Sequence, residues 1–372
     1  MVAVLEMDKI LLFKETPNVL VTMAELFGIQ TTEAAVTKAV AHLDKDTSES
    51  EEAQAERLEK LEKWEPEDLL VPEWNFLKDF TGAESTDTTE GLLLTPVIDT
   101  ERLLHPKLNK VIAVDKLKKV NAVLGFTRLD EMERANDRWS RLVKLTRDQR
   151  PTWVPAVEDK GEGVYLQFDL EAIAEWEAEV EKSSIWEQHV AAHERNFTNR
   201  FSDTAKNMDH LTRMPAPRYW LLHSLAHALI REMAMEAGYG AASLSERIYA
   251  WKANPEKNRS AAAGLLICTT ASDSEGTLGG LVSLAKPERL AHIMKNSLYR
   301  SCRCSSDPVC ANRLPKDPED FLHGAACHSC SFASETSCEK ANRFLDRRFM
   351  LELPSMAGQN VPGFFGGASD YL

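Results

Sequence analysis

The sequence predicts an α+β fold that is rich in helices, with a small strand core and a structural zinc-binding loop region in the C-terminal domain. Three stretches support this prediction: residues 219–238 carry apolar residues at helical spacing, Gly264–Thr269 form a short apolar run between turn residues, and Ser301–Arg348 contain six of the seven cysteines. These patterns are typical of an amphipathic helix, a buried strand and a metal-binding loop, respectively. They predict one unit from about residue 218 to 350.

The length of the chain sets the number of domains. At 372 residues, it is long enough for two or three domains with their own cores. No apolar run reaches the length of a membrane span, so we expect no membrane partner. The predicted division is an N-terminal helical segment (1–43), an acidic linker or exposed helix (44–70), a middle α+β domain (71–217), a zinc-binding domain (218–352) and a flexible Gly-rich tail (353–372).

The charge balance argues against a protein that binds nucleic acid by itself. The chain has 44 Lys and Arg against 58 Asp and Glu, a formal net charge of −14. Neutralisation of phosphates supplies most of the affinity of DNA-binding proteins. A role on DNA therefore requires a local basic face or a basic partner.

The N-terminal region combines helical patterns with an acidic stretch. Val19–Phe27 and Thr32–Leu43 have amphipathic spacing, and Asp44–Asp68 is dense in charge. The favoured interpretation of the acidic stretch is a solvated linker or exposed helix, and the alternative is a docking tail for a basic partner. The first residues lack the features of a signal peptide, so we expect a cytoplasmic protein.

The sequence of the middle domain predicts a strand, a helix and a small basic patch. Val111–Val114 is predicted as a strand, and Asp115–Leu124 as a helix that ends at Gly125, because apolar residues recur at i, i+3 and i+7. Nearby basic residues form either a basic patch or, in the favoured interpretation, an ordinary solvated face. These residues are Lys110, Lys116, Lys118, Lys119 and Arg128.

The sequence pattern from Gly161 onward predicts a turn, a strand and a long helix. Gly161 and Gly163 on either side of Glu162 indicate a turn, and Val164–Phe168 alternates as a strand does. A long helix rich in Glu, Ala and Trp is expected from Asp169 to about residue 200.

Two histidines lie beside the apolar face of the helix predicted over 219–238. His223 and His227 are spaced i, i+4, the spacing used by two metal ligands on one helix face. The favoured interpretation is a half-buried pair bonded to neighbouring backbone, because two histidines alone seldom make a metal site. Gly238 is expected to end the helix in a left-handed conformation.

A glycine-rich loop follows the predicted strand Gly264–Thr269, in which Cys268 is expected to be a core thiol. The loop carries Asp273 and Glu275 but lacks the ending of a phosphate-binding loop. An alternative hypothesis is therefore a metal-dependent hydrolase or nuclease. Its residues are His223, His227, Asp273 and Glu275, to which Glu246 and Arg247 can be added. Walker-type motifs are absent, so we expect no ATPase activity and favour a protein that is not an enzyme.

The cysteine-rich stretch predicts a structural zinc site. Cys327 and Cys330 form a C-x2-C pair and are the safest ligands, since such a pair places two thiolates on one tetrahedral ion. Cys304, Cys310 and Cys338 compete for the two other places. Cys302 is expected to be a spare thiol, and His323 and His328 are substitute ligands. A full set of thiolates is closed, which favours a structural ion; the alternative is disulfides or unrelated buried thiols.

The last residues form a Gly-rich tail that we expect to be mobile. Phe364, Phe365 and Tyr371 are candidate anchors for a partner.

Several motifs in this order resemble one family. They are HSLAHALIRE, SLSERIYA, DSEGTLGGLV, CSSDPVC, AACHSC, ETSCE and NRFLDR, preceded by KLKKVNAVLGFTR and W-x-P-A-x-E-x-x-G-E-G-V-Y. Together they resemble the zinc-binding C-terminal module of DrmB-type proteins, the helicase-associated subunits of DISARM-like antiphage systems. A diverged form of this module ends certain DNA-repair helicases. The resemblance covers roughly residues 105–350.

The resemblance implies a non-catalytic subunit that binds a superfamily-2 DNA helicase or translocase and reaches DNA through that complex in antiviral defence. It also implies a structural Zn²⁺ carried on Cys304, Cys310, Cys327, Cys330 and Cys338. The chain departs from the family in its shorter front, which implies a missing or separately encoded N-terminal portion, and in the additional Cys302.

Overall fold

The computed structural model describes residues 67–82, 92–97, 106–123, 125–126, 143–145, 154–198, 209–269, 279–315, 322–354 and 360–372. The helices predicted within residues 1–43, most of the acidic stretch, and the loop with Asp273 and Glu275 lie outside these ranges. Arg128 lies outside them as well.

Six α-helices and seven strands occur in the described ranges. They are α1 (Glu67–Asp79), β1 (Leu92–Pro96), β2 (Leu108–Ala122), β3 (Gly125–Phe126), β4 (Val143–Lys144), β5 (Ala156–Phe168), α2 (Leu170–Val180), α3 (Ser184–Thr198), α4 (Pro217–Ala237), β6 (Leu244–Trp251), β7 (Ala262–Thr269), α5 (Pro287–Ser301) and α6 (Arg347–Met350). The α+β class expected from the sequence is therefore confirmed.

The chain divides into two compact units. The smaller unit comprises Met1–Asp68, Ala122–Phe126 and Lys144–Val157, and in its described part the Val123 N–H donates to the Pro155 carbonyl at 3.0 Å. The larger unit comprises the remaining residues and carries every site discussed below. The five-segment division inferred from the sequence stays a prediction.

A five-stranded sheet in the order β1-β2-β5-β7-β6 forms the centre of the larger unit. β7 pairs antiparallel with both β5 and β6. Every residue of β7 is buried, because it has a strand on each side and a packed layer on each face. Alternate residues separate the two cores, since Leu265 and Ile267 face the helices α2 to α6 whereas Leu266 faces α1.

The helix predicted over Asp115–Leu124 is wrong, because these residues continue β2 to Ala122. Leu117 lies opposite Leu92 of β1, so pairing with the neighbouring strand overrides the apolar spacing that suggested a helix. Lys119 donates to the Thr269 carbonyl at 2.7 Å, and Lys118 pairs with the Glu158 carboxylate at 2.8 Å.

The turn predicted at Glu162 is also wrong, because both flanking glycines lie inside β5. A Cβ at Gly163 would lie 2.7 Å from the Ile267 carbonyl oxygen, so glycine is required for the close approach of β7. The buried Glu162 carboxylate accepts hydrogen bonds from the backbone N–H groups of Gly279 at 2.6 Å and Leu281 at 2.8 Å. It thereby holds the end of the glycine-rich loop.

The helical layer is built around α4. Pro217 occupies its first turn, two residues before the predicted start, and Gly238 ends it at φ 74°, the left-handed end expected from the sequence. The long helix expected from Asp169 is two helices, α2 and α3. The hydroxyl of Ser183 accepts a hydrogen bond from the Trp186 N–H at 3.2 Å, which caps the start of α3 and explains the break.

The C-terminal aromatic residues belong to the core. Phe364 is fully buried and Phe365 is 4% exposed, so the expectation that they anchor a partner is wrong. The indole N–H of Trp176 donates to the Pro362 carbonyl at 2.6 Å, and the Tyr371 hydroxyl donates to the Phe365 carbonyl at 3.0 Å.

Among the described residues, none of the helices combines the length and the apolar composition needed to cross a membrane.

Candidate metal centres

Four cysteine sulfurs converge in the loops after α5. Cys304 Sγ lies 3.4 Å from Cys327 Sγ, and Cys330 Sγ lies 3.7 Å from both Cys310 Sγ and Cys327 Sγ. All four sulfurs lie within 4.8 Å of one another. A tetrahedral zinc site with bonds of about 2.3 Å separates its sulfurs by about 3.8 Å, so this four-cysteine cluster fits Zn²⁺.

Tight turns present these sulfurs. The Cys330 N–H donates to the Cys327 carbonyl at 3.2 Å, which closes the C-x2-C turn, and the Ser306 N–H donates to Cys304 Sγ at 3.4 Å. Asp307 orders the other loop, because its carboxylate accepts from the Cys304 N–H at 2.7 Å and from the Arg347 guanidinium at 2.6 Å.

None of the cysteines of this cluster forms a disulfide, and the pKa values of two of them shift in opposite directions. A hydrogen bond from Cys310 is the main reason that the pKa of Cys330 falls to about 5, with further help from the Ser331 hydroxyl and Arg347. The same hydrogen bond, followed by burial, raises the pKa of Cys310. The cluster thus favours at least one thiolate, which is the form that binds a metal.

The structure separates the fifth predicted ligand from this cluster. Cys338 lies with His223, His227 and Glu246 in a second group, so it does not compete with Cys304 and Cys310. The two substitute ligands, His323 and His328, instead pack edge-on against Phe332, with ring centroids 4.9 Å and 4.8 Å away.

The two remaining cysteines lie outside both groups. Cys302 is buried in the main core, where its thiol donates to the Leu298 carbonyl at 3.3 Å. Cys268 is a buried core thiol of β7, as the apolar run predicted.

The second group, which we call the histidine cluster, joins α4, β6 and the C-terminal loop. Nε2 of His223 lies 3.0 Å from Glu246 Oε1 and 3.1 Å from Cys338 Sγ. Nε2 of His227 lies 3.5 Å from Glu246 Oε2. Both imidazole side chains and the Glu246 side chain have no solvent exposure.

Backbone carbonyls fix the outer nitrogens of both imidazoles. Nδ1 of His223 lies 3.3 Å from the Phe344 carbonyl, and Nδ1 of His227 lies 2.7 Å from the Ser331 carbonyl. The predicted bonds to backbone are therefore present, although the histidines are fully rather than half buried. The spacing i, i+4 predicted that the two histidines share one helix face. Because side chains alternate along β6, Glu246 faces the histidines, whereas Arg247 points to the other side of the sheet and pairs with Glu73 at 2.5 Å.

The charged groups of the histidine cluster shift one another's pKa values. Burial alone lowers the pKa of His227, but the Glu246 carboxylate and Cys338 more than offset it and raise that pKa. Burial alone raises the pKa of Cys338, but the neighbouring imidazoles of His223 and His227 bring it down to about 6. The hydrolytic hypothesis also named Asp273 and Glu275, which lie outside the described residues.

A comparison with known protein families points to this same region. Residues 225–331 match the family model of the MrfA Zn-binding domain. This range contains the whole four-cysteine cluster but neither His223 nor Cys338. Over 249 residues, the chain is 32% identical to the DISARM protein DrmB of Bacillus paralicheniformis, a match that covers 67% of this chain and 42% of that relative. The chain therefore spans less than half the length of the curated relative it matches.

The resemblance inferred from the sequence motifs is thus confirmed. The chain is similar to DISARM protein DrmB over two thirds of its own length, and it carries a domain of the MrfA zinc-binding type.

Proposed function

We propose that the chain is a non-catalytic, zinc-binding accessory subunit of DISARM-type antiphage defence. In this role it docks on a superfamily-2 DNA helicase or translocase in the cytoplasm and supports the engagement of DNA by that motor. The observation that carries the proposal is the closed four-cysteine cluster, which lies inside the MrfA-type domain of a chain similar to DrmB.

Zinc in this proposal has a structural role. Cys304, Cys310, Cys327 and Cys330 would hold it, because their sulfurs have tetrahedral spacing. When bound, the ion cross-links the loop that follows α5 to the C-x2-C turn. A set of four thiolates leaves no open position for water or substrate, which supports a scaffold rather than a hydrolytic centre.

The burial of the histidine cluster supports the non-catalytic role as well. A hydrolytic site must admit water and substrate to its acid, base or metal. The side chains of His223, His227 and Glu246 have no solvent exposure, so a substrate has no access to them in this conformation.

A basic cleft beside the four-cysteine cluster supports contact with DNA through the complex. The cleft has a volume of about 260 Å³ and includes Arg231, Arg300 and Arg303 among its lining residues, next to Cys304 and Cys330. Arg300 pairs with the buried Glu232 carboxylate, whereas the side chain of Arg303 is exposed. A local cluster of arginines is the feature that an acidic chain needs in order to approach phosphates.

Affinity capture tests the docking proposal. The tagged chain, co-expressed with the helicase subunit of the same defence system, is expected to retain that subunit through washing at physiological salt. Arg303→Glu is expected to weaken DNA binding by the complex at least several-fold and to make that binding less steeply dependent on salt, because fewer phosphates are neutralised. Arg289→Glu, at an exposed position of α5 that does not line the cleft, is the matched control. Failure of the helicase subunit to co-purify would overturn the proposal.

A further inference from the structure

The histidine cluster is a second group of metal-ligand types that is separate from the four-cysteine cluster. Its members come from three parts of the chain: His223 and His227 from α4, Glu246 from β6, and Cys338 from the C-terminal loop. One ligand atom from each lies within 4.8 Å of all the others, and all four residues are buried. Burying four such groups together is costly unless a cation or shared protons compensate them.

The hydrogen bonds around the two imidazoles determine which nitrogens face the centre. A carbonyl can only accept a hydrogen bond, so the Nδ1 atoms of His223 and His227 carry the protons that point to Phe344 and Ser331. The Nε2 atom of each imidazole therefore faces the centre, where the neutral form of the ring presents a lone pair. This is the arrangement in which metal-binding histidines are usually held, with the outer N–H donated to a carbonyl.

Two of the inward-facing atoms have no hydrogen-bond partner among the described residues. They are His227 Nε2 and Glu246 Oε2, and both are buried. With both imidazoles neutral, the carboxylate oxygen, the two imidazole lone pairs and the thiolate sulfur are all acceptors, so they repel one another in an enclosed space. A bound cation would satisfy all four at once.

The surroundings of Cys338 also suit a bound thiolate. Its sulfur accepts hydrogen bonds from the backbone N–H groups of Lys340 at 3.4 Å and Asn342 at 3.2 Å. Cys304 of the four-cysteine cluster receives the same kind of bond from Ser306 at 3.4 Å. Glu246 Oε1 likewise accepts from the Glu339 N–H at 3.1 Å, which fixes the carboxylate.

We propose that His223, His227, Glu246 and Cys338 bind a second transition-metal ion, and that this ion is Zn²⁺. Two imidazoles, one thiolate and one carboxylate are all ligands that zinc accepts, and four protein ligands close the site. Tetrahedral bonds of about 2.0–2.3 Å separate the ligand atoms by about 3.3–3.8 Å. The observed separations of 3.0, 3.1 and 3.5 Å are close to this range. The ion cross-links α4, β6 and the C-terminal loop.

Metal analysis of the purified full chain tests this proposal without any substitution. The metal-free chain, titrated with Zn²⁺ alone, is expected to bind about two equivalents. Zinc X-ray absorption is then expected to show both sulfur and nitrogen or oxygen neighbours, in a ratio of about five to three when the two ligand sets are averaged. About one zinc per chain with four sulfur neighbours would overturn the second site, while leaving the four-cysteine site and the proposed function standing.

Substitutions assign the second ion to its ligands. Cys338→Ser and His227→Gln are each expected to lower the zinc content from about two to about one and to leave an all-sulfur spectrum. Cys302→Ser, which removes a buried cysteine outside both clusters, is expected to keep about two zinc ions per chain. Unchanged zinc content in both Cys338→Ser and His227→Gln would contradict the assignment. Since the wild-type titration and spectrum need no variant, a variant that fails to fold does not leave the proposal untested.

Discussion

The backbone carbonyl of Ser331 accepts a hydrogen bond from Nδ1 of His227 at 2.7 Å. Through its hydroxyl, Ser331 also donates to Cys330 Sγ at 3.3 Å. One residue therefore contacts both the histidine cluster and the four-cysteine cluster, and it connects the C-x2-C turn to the central helix α4.

Ser331→Ala is expected to weaken zinc binding at the four-cysteine cluster about tenfold, since partners that orient metal ligands contribute at this level. The substitution removes the hydroxyl but keeps the carbonyl that holds His227. Competition with a chelator of known affinity measures the change. Ser329→Ala, in the same turn, is the matched control, and an equal loss of affinity in the control would contradict the role of the Ser331 hydroxyl.

Cys327→Ser is expected to abolish zinc binding at the four-cysteine cluster and to lower the free energy of unfolding by about 4 kcal/mol or more, because metal-binding energy is folding energy in such loops. Denaturant unfolding and metal analysis measure the two effects. Cys268→Ser removes a buried thiol from β7 and is expected to retain the zinc. A Cys327→Ser variant with full zinc content would show that this sulfur is not a ligand.

Glu177→Gln is expected to destabilise the fold by about 3–5 kcal/mol, because Arg218 loses the charge that compensates it in the core. The Arg218 guanidinium donates to Glu177 Oε1 through Nε at 3.2 Å and to Oε2 through Nη2 at 2.6 Å, and both residues are buried. The half-exposed pair of Glu181 and Lys252, 2.5 Å apart, is the control. Glu181→Gln is expected to cost less than about 1 kcal/mol in the same unfolding experiment.

Much of the site was predictable from local patterns. The C-x2-C pair, the helix that carries His223 and His227, and the apolar strand β7 each have a signal within a few consecutive residues. The assignment of Cys338 was not predictable, because its neighbours His223 and Glu246 are about a hundred residues earlier in the chain. The strand after Val114 was also missed, since its pairing with β1 has no counterpart in the local spacing.

Acid is expected to destabilise the protein through the buried Asp346. Burial alone raises the pKa of this carboxyl, but Arg348 and the hydrogen bond from His189 more than offset burial and hold it well below its usual range. Because the folded-state pKa lies below the unfolded value of about 3.9, the ionised group stabilises the fold above that pH, and this stability is lost as the pH falls below it.

Burial lowers the pKa of His189, so this histidine, like Asp346, stabilises the fold less as the pH falls. This stability is fully present above the unfolded value of about 6.5 and is lost as the pH falls through lower values. Asp346→Asn is expected to destabilise the protein at pH 7, with the difference from wild type narrowing as the pH falls below about 4. Urea unfolding between pH 7 and pH values below about 4 measures this difference in the free energy of unfolding. Glu171→Gln, at an exposed carboxylate, controls for general charge effects. A difference that does not change with pH would contradict the role of the ionised Asp346.

The DNA-dependent ATPase rate of the helicase subunit, measured with and without this chain, tests the accessory role most directly. We expect no ATP hydrolysis by the chain alone, and we expect its zinc-loaded form to lower the DNA concentration at which the helicase reaches half of its maximal rate. Robust ATPase activity of the chain alone, or an unchanged DNA dependence when the chain is added, would contradict the proposed function.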